Sequence, residues 1–158
     1  MKRTLPFIVM LLCACLFTAC DSDQIRILKY GKPDITSITN DRIDFTVEMS
    51  VYNNSSKMTI KQCDILLKQT NSGKEILSVS AKDKIVVRKG MSSIKVPISI
   101  RINGGIFAAQ AIMKKIKINS KDISVDLTVK GKKSMVPFKL ELNDVPLEQM
   151  NMDINRLI

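Results

Sequence analysis

The stretch that decides the fold is Arg42-Ile43-Asp44-Phe45-Thr46-Val47-Glu48-Met49-Ser50-Val51. Every odd-numbered position from 43 to 51 is apolar, and every position between them is polar or charged. Successive side chains of a β-strand point to opposite faces, so this period of two predicts a strand with one buried and one solvated face. Such strands are typical of antiparallel sheets. The stretch therefore predicts an all-β protein.

The same alternation returns along the rest of the chain. Three further segments show it clearly: 94–102, 123–129 and 136–142. Four shorter segments predict weaker strands: 25–30, 34–39, 76–79 and 84–88. One more strand begins at Met58 but changes phase near Gln62, after which Cys63 and Ile65 continue its apolar face. A phase change of this kind predicts a β-bulge.

Glycine and proline positions predict how the strands are connected. Asn71-Ser72-Gly73-Lys74 and Lys89-Gly90 are typical turn sequences, and Gly131, flanked by lysines, is expected in the turn between the last two strands. Pro97 has no N–H to donate to a ladder, so we expect it at a sheet edge or a bulge.

One segment departs from the strand pattern. Residues 106–117, IFAAQAIMKKIK, lack glycine and proline and place apolar side chains on one stripe at helical spacing. Lysines crowd its end, where they suit the negative pole of a helix dipole, and Asn103 is a candidate N-cap. The predicted fold is therefore an immunoglobulin- or fibronectin type III-like antiparallel β-sandwich with one short helix.

The amino-terminal segment has the features of an export signal. Lys2 and Arg3 precede a 13-residue apolar run over 5–17. That run is too short to span a bilayer core, which needs roughly 20 helical residues. The sequence Phe17-Thr18-Ala19-Cys20 follows. It resembles a lipobox, in which signal peptidase II cuts before a cysteine that carries a diacylglycerol.

We predict lipidation at Cys20, although Leu12-Cys13-Ala14-Cys15 is a competing match and an ordinary secretory signal is a further alternative. Cys20 is preferred because the chain becomes polar directly after it, at Asp21-Ser22-Asp23-Gln24. The predicted organisation is a signal peptide over 1–19, a lipidated tether over 20–24, a β-domain over 25–145 and a tail over 146–158. The expected location is the bacterial cell envelope, at the outer membrane on its periplasmic or surface side. Asp21, directly after Cys20, leaves retention at the inner membrane as an alternative.

The chain is strongly basic, with 25 lysines and arginines against 15 acidic residues and a net charge of +10. Removal of residues 1–19 takes away Lys2 and Arg3, which leaves +8. Such a surface suits anionic headgroups or an anionic glycolipid. The lysines form no run of five, however, so a solvated basic face is the simpler interpretation. Nucleic acid is not an expected partner, because an exported protein rarely meets it and aromatic side chains for base stacking are few.

Few side chains of this sequence are suited to catalysis or metal binding. The chain contains no histidine and no tryptophan, which excludes histidine-based acid–base catalysis and most zinc sites. Cys63 lies on an apolar strand face, so we expect a buried thiol outside any disulfide. We expect Asp41, Asp44 and Glu48 to be solvated, since they lack the spacing of a calcium loop. We predict no catalytic residue, no metal and no cofactor.

Asn103-Gly104-Gly105 could present backbone amides to an anion. The segment lacks the Lys-Ser or Lys-Thr ending of a phosphate-binding loop. It is therefore predicted to be a plain strand-to-helix connection.

The order of these features resembles the late embryogenesis abundant type 2 family, also called the water stress and hypersensitive response domain. The resemblance covers about residues 25–145 and includes the long alternating strand ending at Val51-Tyr52-Asn53-Asn54-Ser55, the bulged strand, the Ser72-Gly73 turn and the helical insert. The family usually has Asn-Pro-Asn in the first of these turns, and this chain lacks the proline. The resemblance implies a seven-stranded sandwich and no particular activity, because a fold does not specify a function.

The sequence thus predicts a membrane-anchored envelope lipoprotein, not an enzyme, whose sandwich is a binding or scaffolding module for another envelope protein or an anionic glycolipid. The first alternative is a carrier that holds an acyl chain or another apolar ligand inside the sandwich. It is motivated by the apolar helix stripe and by a set of methionines: Met49, Met58, Met91, Met113 and Met135. The second alternative, a stress-protective protein, comes from the family resemblance alone.

Overall fold

The computed structural model describes residues 25–105, 122–147 and 149. These residues form nine antiparallel strands: β1 (Ile25–Tyr30), β2 (Asp34–Ile38), β3 (Arg42–Asn53), β4 (Met58–Gln69), β5 (Glu75–Ala81), β6 (Ile85–Val87), β7 (Gly90–Ile102), β8 (Ile123–Lys133) and β9 (Val136–Pro146). The all-β prediction is confirmed. The predicted lipid site, Cys20, and the predicted helix over 106–117 lie outside the described residues.

The strands form one continuous sheet in the order β1-β3-β7-β5-β4-β8-β9. Beside this path, β2 pairs with β3 and β6 pairs with β4. Two long ribbons make up most of the sheet, because β3 pairs with β7 over its whole length and β4 pairs with β8 in the same way. Strand β5 joins the ribbons by bonding to β4 on one side and to β7 on the other.

The apolar face of this sheet curls onto itself and makes a single core. In β3, Phe45, Val47, Met49 and Val51 are at most 1 % exposed, as the period of two predicts. Strands β4, β7 and β8 add a similar apolar row each to the same cluster. A sheet with one apolar face must remove that face from water, and curling does so without a second layer. The immunoglobulin-like arrangement of two separate sheets stays a prediction.

The bulge expected near Gln62 is confirmed. The register between β4 and β8 shifts between Ile60 and Gln62. The extra residue, Lys61, returns Cys63 to the buried face, where its side chain is 0 % exposed. A single inserted residue restores the apolar phase of the strand because the side-chain period is two.

Pro97 lies inside β7, where it pairs with Thr46 of β3. The carbonyl oxygen of Pro97 accepts a hydrogen bond from the Lys82 backbone N–H at 2.9 Å, directly after β5 ends. The backbone N and O atoms of one residue in an antiparallel strand point to the same neighbouring strand. The nitrogen of Pro97, which carries no hydrogen, therefore faces the β5 side, where pairing between β5 and β7 ends at Ile98. The proline thus occupies a local edge of an interior strand.

The prediction that Gly131 lies in a turn was wrong. Gly131 is a residue of β8, paired with Ile60 of β4 and with Phe138 of β9. The turn follows at residues 134–135, where Ser134 has a φ of 55°. A Cβ at Gly131 would lie 2.5 Å from the backbone oxygen of Thr59 and 2.6 Å from the Phe138 ring. Glycine is required there by close packing.

The antiparallel pairing gathers most of the connections at two opposite ends of the domain. The basic end contains the first residue of β1 and the turns at 54–57, 88–89 and 134–135; it is held by the pairs Ile25–Asn53, Asn53–Gly90 and Met58–Lys133. The groove end contains the turns at 39–41 and 70–74 and the end of β7 at 103–105. The 12 residues of β3 separate the two ends by about 36 Å at about 3.3 Å per residue.

Candidate functional site

A groove of about 300 Å³ opens at the groove end of the domain. Its lining combines two apolar side chains with polar and charged groups from three separate parts of the chain: Asp41, Glu75, Leu77, Ser78, Arg101, Ile102, Asn103 and Gly104. Its volume is at the lower limit of small-molecule pockets. A groove of this size can hold a few side chains of a partner or a small polar group.

Backbone hydrogen bonds fix the positions of these residues. The N–H of Ile102 donates to the Asp41 carbonyl at 2.7 Å, which ties the β2–β3 turn to the end of β7. The N–H of Asn103 donates to the Ile76 carbonyl at 3.0 Å, and its side-chain amide donates to the Glu75 carbonyl at 3.2 Å. The groove is therefore built on strand ends, which hold its side chains more rigidly than a free loop would.

The charged side chains of the groove are available to a ligand. Arg101 is exposed, and within the described residues neither Arg101 nor Glu75 has an ion-pair partner within 4.0 Å. The Asp41 carboxylate accepts one hydrogen bond, from the Thr39 hydroxyl at 3.1 Å. One guanidinium and two carboxylates at one opening can bind a partner surface that carries charges of both signs.

Beside the groove, Asp44 forms a buried charge cluster on the outer face of β3. Its carboxylate accepts a hydrogen bond from the Ser99 hydroxyl at 2.7 Å and lies 2.7 Å from the Lys82 ammonium and 3.2 Å from the Arg42 guanidinium. The hydrogen bond from Lys82, helped by that from Ser99 and by the charge of Arg42, holds the pKa of Asp44 below its ordinary value, although desolvation opposes this.

Asp44 corrects the prediction of solvated acids. It is only 4 % exposed, whereas Asp41 and Glu48 are exposed as predicted. The cause is register: Asp44 pairs with Ser99 of β7, and the side chains of Arg42 and Lys82 cover it. One ion pair of this cluster could be predicted from the sequence, because Arg42 and Asp44 are two residues apart and lie on the same strand face. Ser99 and Lys82 could not be found without the pairing.

A second charge cluster lies on the other ribbon. The Lys68 ammonium lies 2.7 Å from Asp126 and 2.8 Å from Asp144, and the Asp144 backbone N–H donates to Asp126 at 2.8 Å. The hydrogen bonds to Asp126 and then to Asp144 raise the pKa of Lys68. Desolvation acts to raise the pKa of Asp126, but Lys68 and the Asp144 N–H outweigh it and leave that pKa below its ordinary value.

This second cluster stabilises a bulge. The register of β8 and β9 shifts between Val125 and Leu127, and Asp144 in the bulge has a φ of 55°. Aspartate tolerates this left-handed conformation better than most residues do. The cluster is therefore explained by local structure, and we assign it no ligand.

The remaining predicted site residues are placed as follows. Cys63 is a buried core thiol, as expected. Gly104 and Gly105 have φ values of 89° and 81°, and Gly105 packs against Asn40 at the groove end. In the described residues, no group of three or more metal-binding side chains comes together. No helix among those residues has the length and hydropathy to cross a bilayer.

No family model matches this chain, and no curated protein is detectably similar to it. Three solved structures show a weak likeness. A protein from Archaeoglobus fulgidus is 11 % identical, with a TM-score of 0.46 over 74 % of this chain and 91 % of that one. The solution structure of AT1g01470 from Arabidopsis thaliana is 18 % identical, with a TM-score of 0.30 over 75 % of this chain and 78 % of that one.

The third is a β-glucuronidase of glycoside hydrolase family 2, which is 11 % identical with a TM-score of 0.29. The match covers 76 % of this chain but only 11 % of the glucuronidase. The chain thus spans about a tenth of that enzyme. At these scores the three likenesses support no statement about function.

Proposed function

We propose that this protein is a lipid-anchored envelope protein whose all-β domain binds another envelope component, without catalysing a reaction, through the groove at Asp41, Glu75 and Arg101. The lipid is attached to Cys20, five residues before β1 in the sequence. The expected membrane is the outer membrane. The late embryogenesis abundant type 2 resemblance is compatible with this proposal but adds no activity to it.

The observation that carries the proposal is the position of the groove relative to the start of β1. Ile25 pairs with Asn53 at one end of β3, while Arg101 pairs with Arg42 at the other end. A domain attached through its amino terminus therefore presents the groove about 36 Å from Ile25, measured along β3. This is the arrangement that a tethered binding module needs, because its recognition surface must stand clear of the headgroups.

Site-specific photo-crosslinking in living cells tests the groove. A photoreactive side chain at Asn103 is expected to give a discrete crosslinked product, and the substitution Arg101→Glu is expected to abolish it. The matched control places the same group at Thr128, which faces outward on β8. Equal products from both positions, or no effect of Arg101→Glu, would refute binding at the groove.

Fatty-acid labelling tests the anchor separately. The wild-type chain is expected to incorporate labelled palmitate, and Cys20→Ala is expected to lose it while Cys15→Ala keeps it. A label that survives Cys20→Ala would contradict the assignment of the lipid to this residue.

The carrier alternative has less support. Of the methionines that motivated it, Met49 and Met58 are each 1 % exposed in the core, where methionine fills gaps. Met91 and Met135 are 75 % and 88 % exposed at the basic end, and Met113 lies outside the described residues. Native mass spectrometry of protein purified from its host decides between the two functions, since a carrier would retain a lipid of defined mass.

A further inference from the structure

The basic end collects charges that are far apart in the sequence. Its turns and the adjoining strand ends carry five basic residues and no carboxylate: Lys57, Arg88, Lys89, Lys132 and Lys133. The hydrogen bond from the Ser134 N–H to the Lys57 carbonyl at 2.8 Å fixes two of these segments together. The pair Met58–Val87 brings the third segment beside them. Arg26 of β1, which pairs with Tyr52, adds a sixth basic side chain.

Four of these basic side chains have no ion-pair partner within the described part of the chain. Lys57, Arg88, Lys89 and Lys132 are exposed, and none of them forms an ion pair within 4.0 Å to a described residue. Along the chain, Asp21 and Asp23 precede β1 and Asp83 precedes β6. A concentration of like charge without internal partners favours binding of an external anionic surface.

Exposed apolar side chains accompany the charges. Met135 and Val136, at the tip of the β8–β9 hairpin, are 88 % and 68 % exposed, and Met91 at the start of β7 is 75 % exposed. Lysines 132 and 133 directly precede the hairpin tip. Exposed apolar side chains beside lysines suit a lipid interface, where the apolar groups can be buried and the lysines can reach the headgroups. A purely solvated basic face gives no reason for them.

We propose that the basic end docks on anionic lipid headgroups, with Met135 and Val136 inserted at the interface. The lysine and arginine side chains contact the phosphates. Each basic side chain near such a surface strengthens binding roughly fivefold. A free anionic polymer would satisfy the charges but would leave Met135 and Val136 exposed to water, so a lipid surface fits the whole set of side chains better.

The position of Cys20 supports this orientation, and here the inference builds on the proposed anchor. Five residues of fully extended chain reach about 17 Å, so Ile25 must stay within about 17 Å of the lipidated cysteine. The groove end, about 36 Å from Ile25 along β3, has no such constraint. The anchor thus keeps the basic end close to the headgroups, and docking fixes the groove outward.

Tryptophan fluorescence tests the docking, because the chain has no tryptophan of its own. The full-length precursor is expressed, processed by its host and reconstituted into vesicles as Met135→Trp or, as the matched control, as Ile38→Trp. Ile38 is 57 % exposed and lies at the last residue of β2, near the groove end. In vesicles of phosphatidylglycerol and phosphatidylcholine, we expect blue-shifted emission that brominated acyl chains quench for Met135→Trp only.

Two further comparisons vary the vesicle conditions and the lysines of the basic end. In phosphatidylcholine vesicles, or at high salt, the shift for Met135→Trp is expected to disappear. Adding Lys89→Gln with Lys132→Gln should reduce the docked-to-undocked ratio roughly thirtyfold. The equal charge change in Lys32→Gln with Lys74→Gln should change it by less than about twofold, since these lysines lie more than one screening length away.

The outcomes separate the two proposals. Identical emission from the Met135→Trp and Ile38→Trp proteins in anionic vesicles, or equal effects of the two lysine pairs, would overturn docking. The palmitate label is a different readout: its absence from the wild-type chain, or its survival in Cys20→Ala, would overturn the anchor alone.

Discussion

The two ends of the domain differ in the charges that they combine. The groove end carries both acidic and basic side chains, of which Arg101 and Glu75 have no ion-pair partner among the described residues. Near the groove end, Asp44 pairs with Arg42 and Lys82, and Lys68 pairs with two aspartates. At the basic end, Lys57, Lys89 and Lys132 have no ion-pair partner among the described residues. The same curled sheet supports both arrangements. The difference comes from the acids, because the turns and strand ends of the basic end carry lysine and arginine without a carboxylate.

The difference indicates what each end binds. A groove lined by Asp41, Glu75 and Arg101 can discriminate among partners by shape and by mixed charge. Unpaired charges of one sign give long-range attraction to any surface of opposite sign, with little geometric selection. We therefore expect a specific partner at the groove and a general anionic surface at the basic end.

The largest expected effect comes from the core that joins the two ends. Phe45→Ala removes a ring that is 1 % exposed and should lower the free energy of unfolding by about 3–5 kcal/mol. Denaturation followed by the tryptophans of Met135→Trp and Ile38→Trp should shift equally, because one core makes the ends unfold together. Met91→Ala, at a position 75 % exposed, is the control and should cost less than about 0.5 kcal/mol. Separate transitions at the two ends would show two cooperative units.

The next effect compares a glycine from each end. Gly131→Ala would place a Cβ 2.5 Å from the Thr59 backbone oxygen and should destabilise the fold by about 3 kcal/mol. Gly73→Ala, in the turn at the groove end, meets nothing within 4 Å but has a φ of 64°. Gly73→Ala should therefore destabilise the fold by about 1 kcal/mol, because alanine is strained in the left-handed backbone conformation. Chemical denaturation measures both, and a larger loss for Gly73→Ala would contradict the close packing at Gly131.

A smaller and pH-dependent effect is expected at Asp44. Its pKa lies below the ordinary value of 3.8, so the folded state is stabilised at neutral pH by the charged form. That stabilisation is lost as the pH falls below 3.8 and through the folded-state pKa. Asp44→Asn should therefore be less stable than wild type at neutral pH, and the gap should close in acid.

The matched control for Asp44 is Glu48→Gln on the same face of β3. Glu48 is exposed and accepts one hydrogen bond, from Ser93 at 2.7 Å. Denaturant midpoints across the acid range should show a pH-dependent gap for Asp44→Asn that is much larger than for Glu48→Gln. A gap of the same size for both variants would mean that burial of Asp44 contributes nothing.

The smallest effect distinguishes the two aspartates around Lys68. The side chain of Asp126 is 21 % exposed and that of Asp144 is 73 % exposed. Because exposed ion pairs contribute little, Asp144→Asn should leave the denaturant midpoint almost unchanged, while Asp126→Asn should lower it measurably. The reverse order would show that Asp144 holds the β9 bulge through its charge.

Much of the fold was predictable from local pattern. The alternation at 42–51 gave β3, the phase change near Gln62 gave the bulge, and the turns at Gly73 and Gly90 have φ values of 64° and 85°. These features depend on neighbouring residues alone. Gly131 was misplaced because its constraint comes from Thr59 and Phe138, which approach it from two other strands.

The candidate sites were less predictable than the strands, because they depend on pairing between distant segments of the chain. Nothing near Asp44 in sequence identifies Ser99 and Lys82 as its partners, and the groove joins Asp41, Glu75 and Arg101 from three separate segments. The lysines at 57, 89 and 132 are scattered along the chain and meet only because the starts of β4 and β7 and the end of β8 lie at the same end of the sheet.

The sequence by itself determined that this chain forms antiparallel strands with one buried face, because the period of two acts on each strand independently of the others. Only the tertiary structure decided which charges are paired, which are left open and at which end each lies. Those properties depend on register, and register is set by the packing of all the strands into one curled sheet.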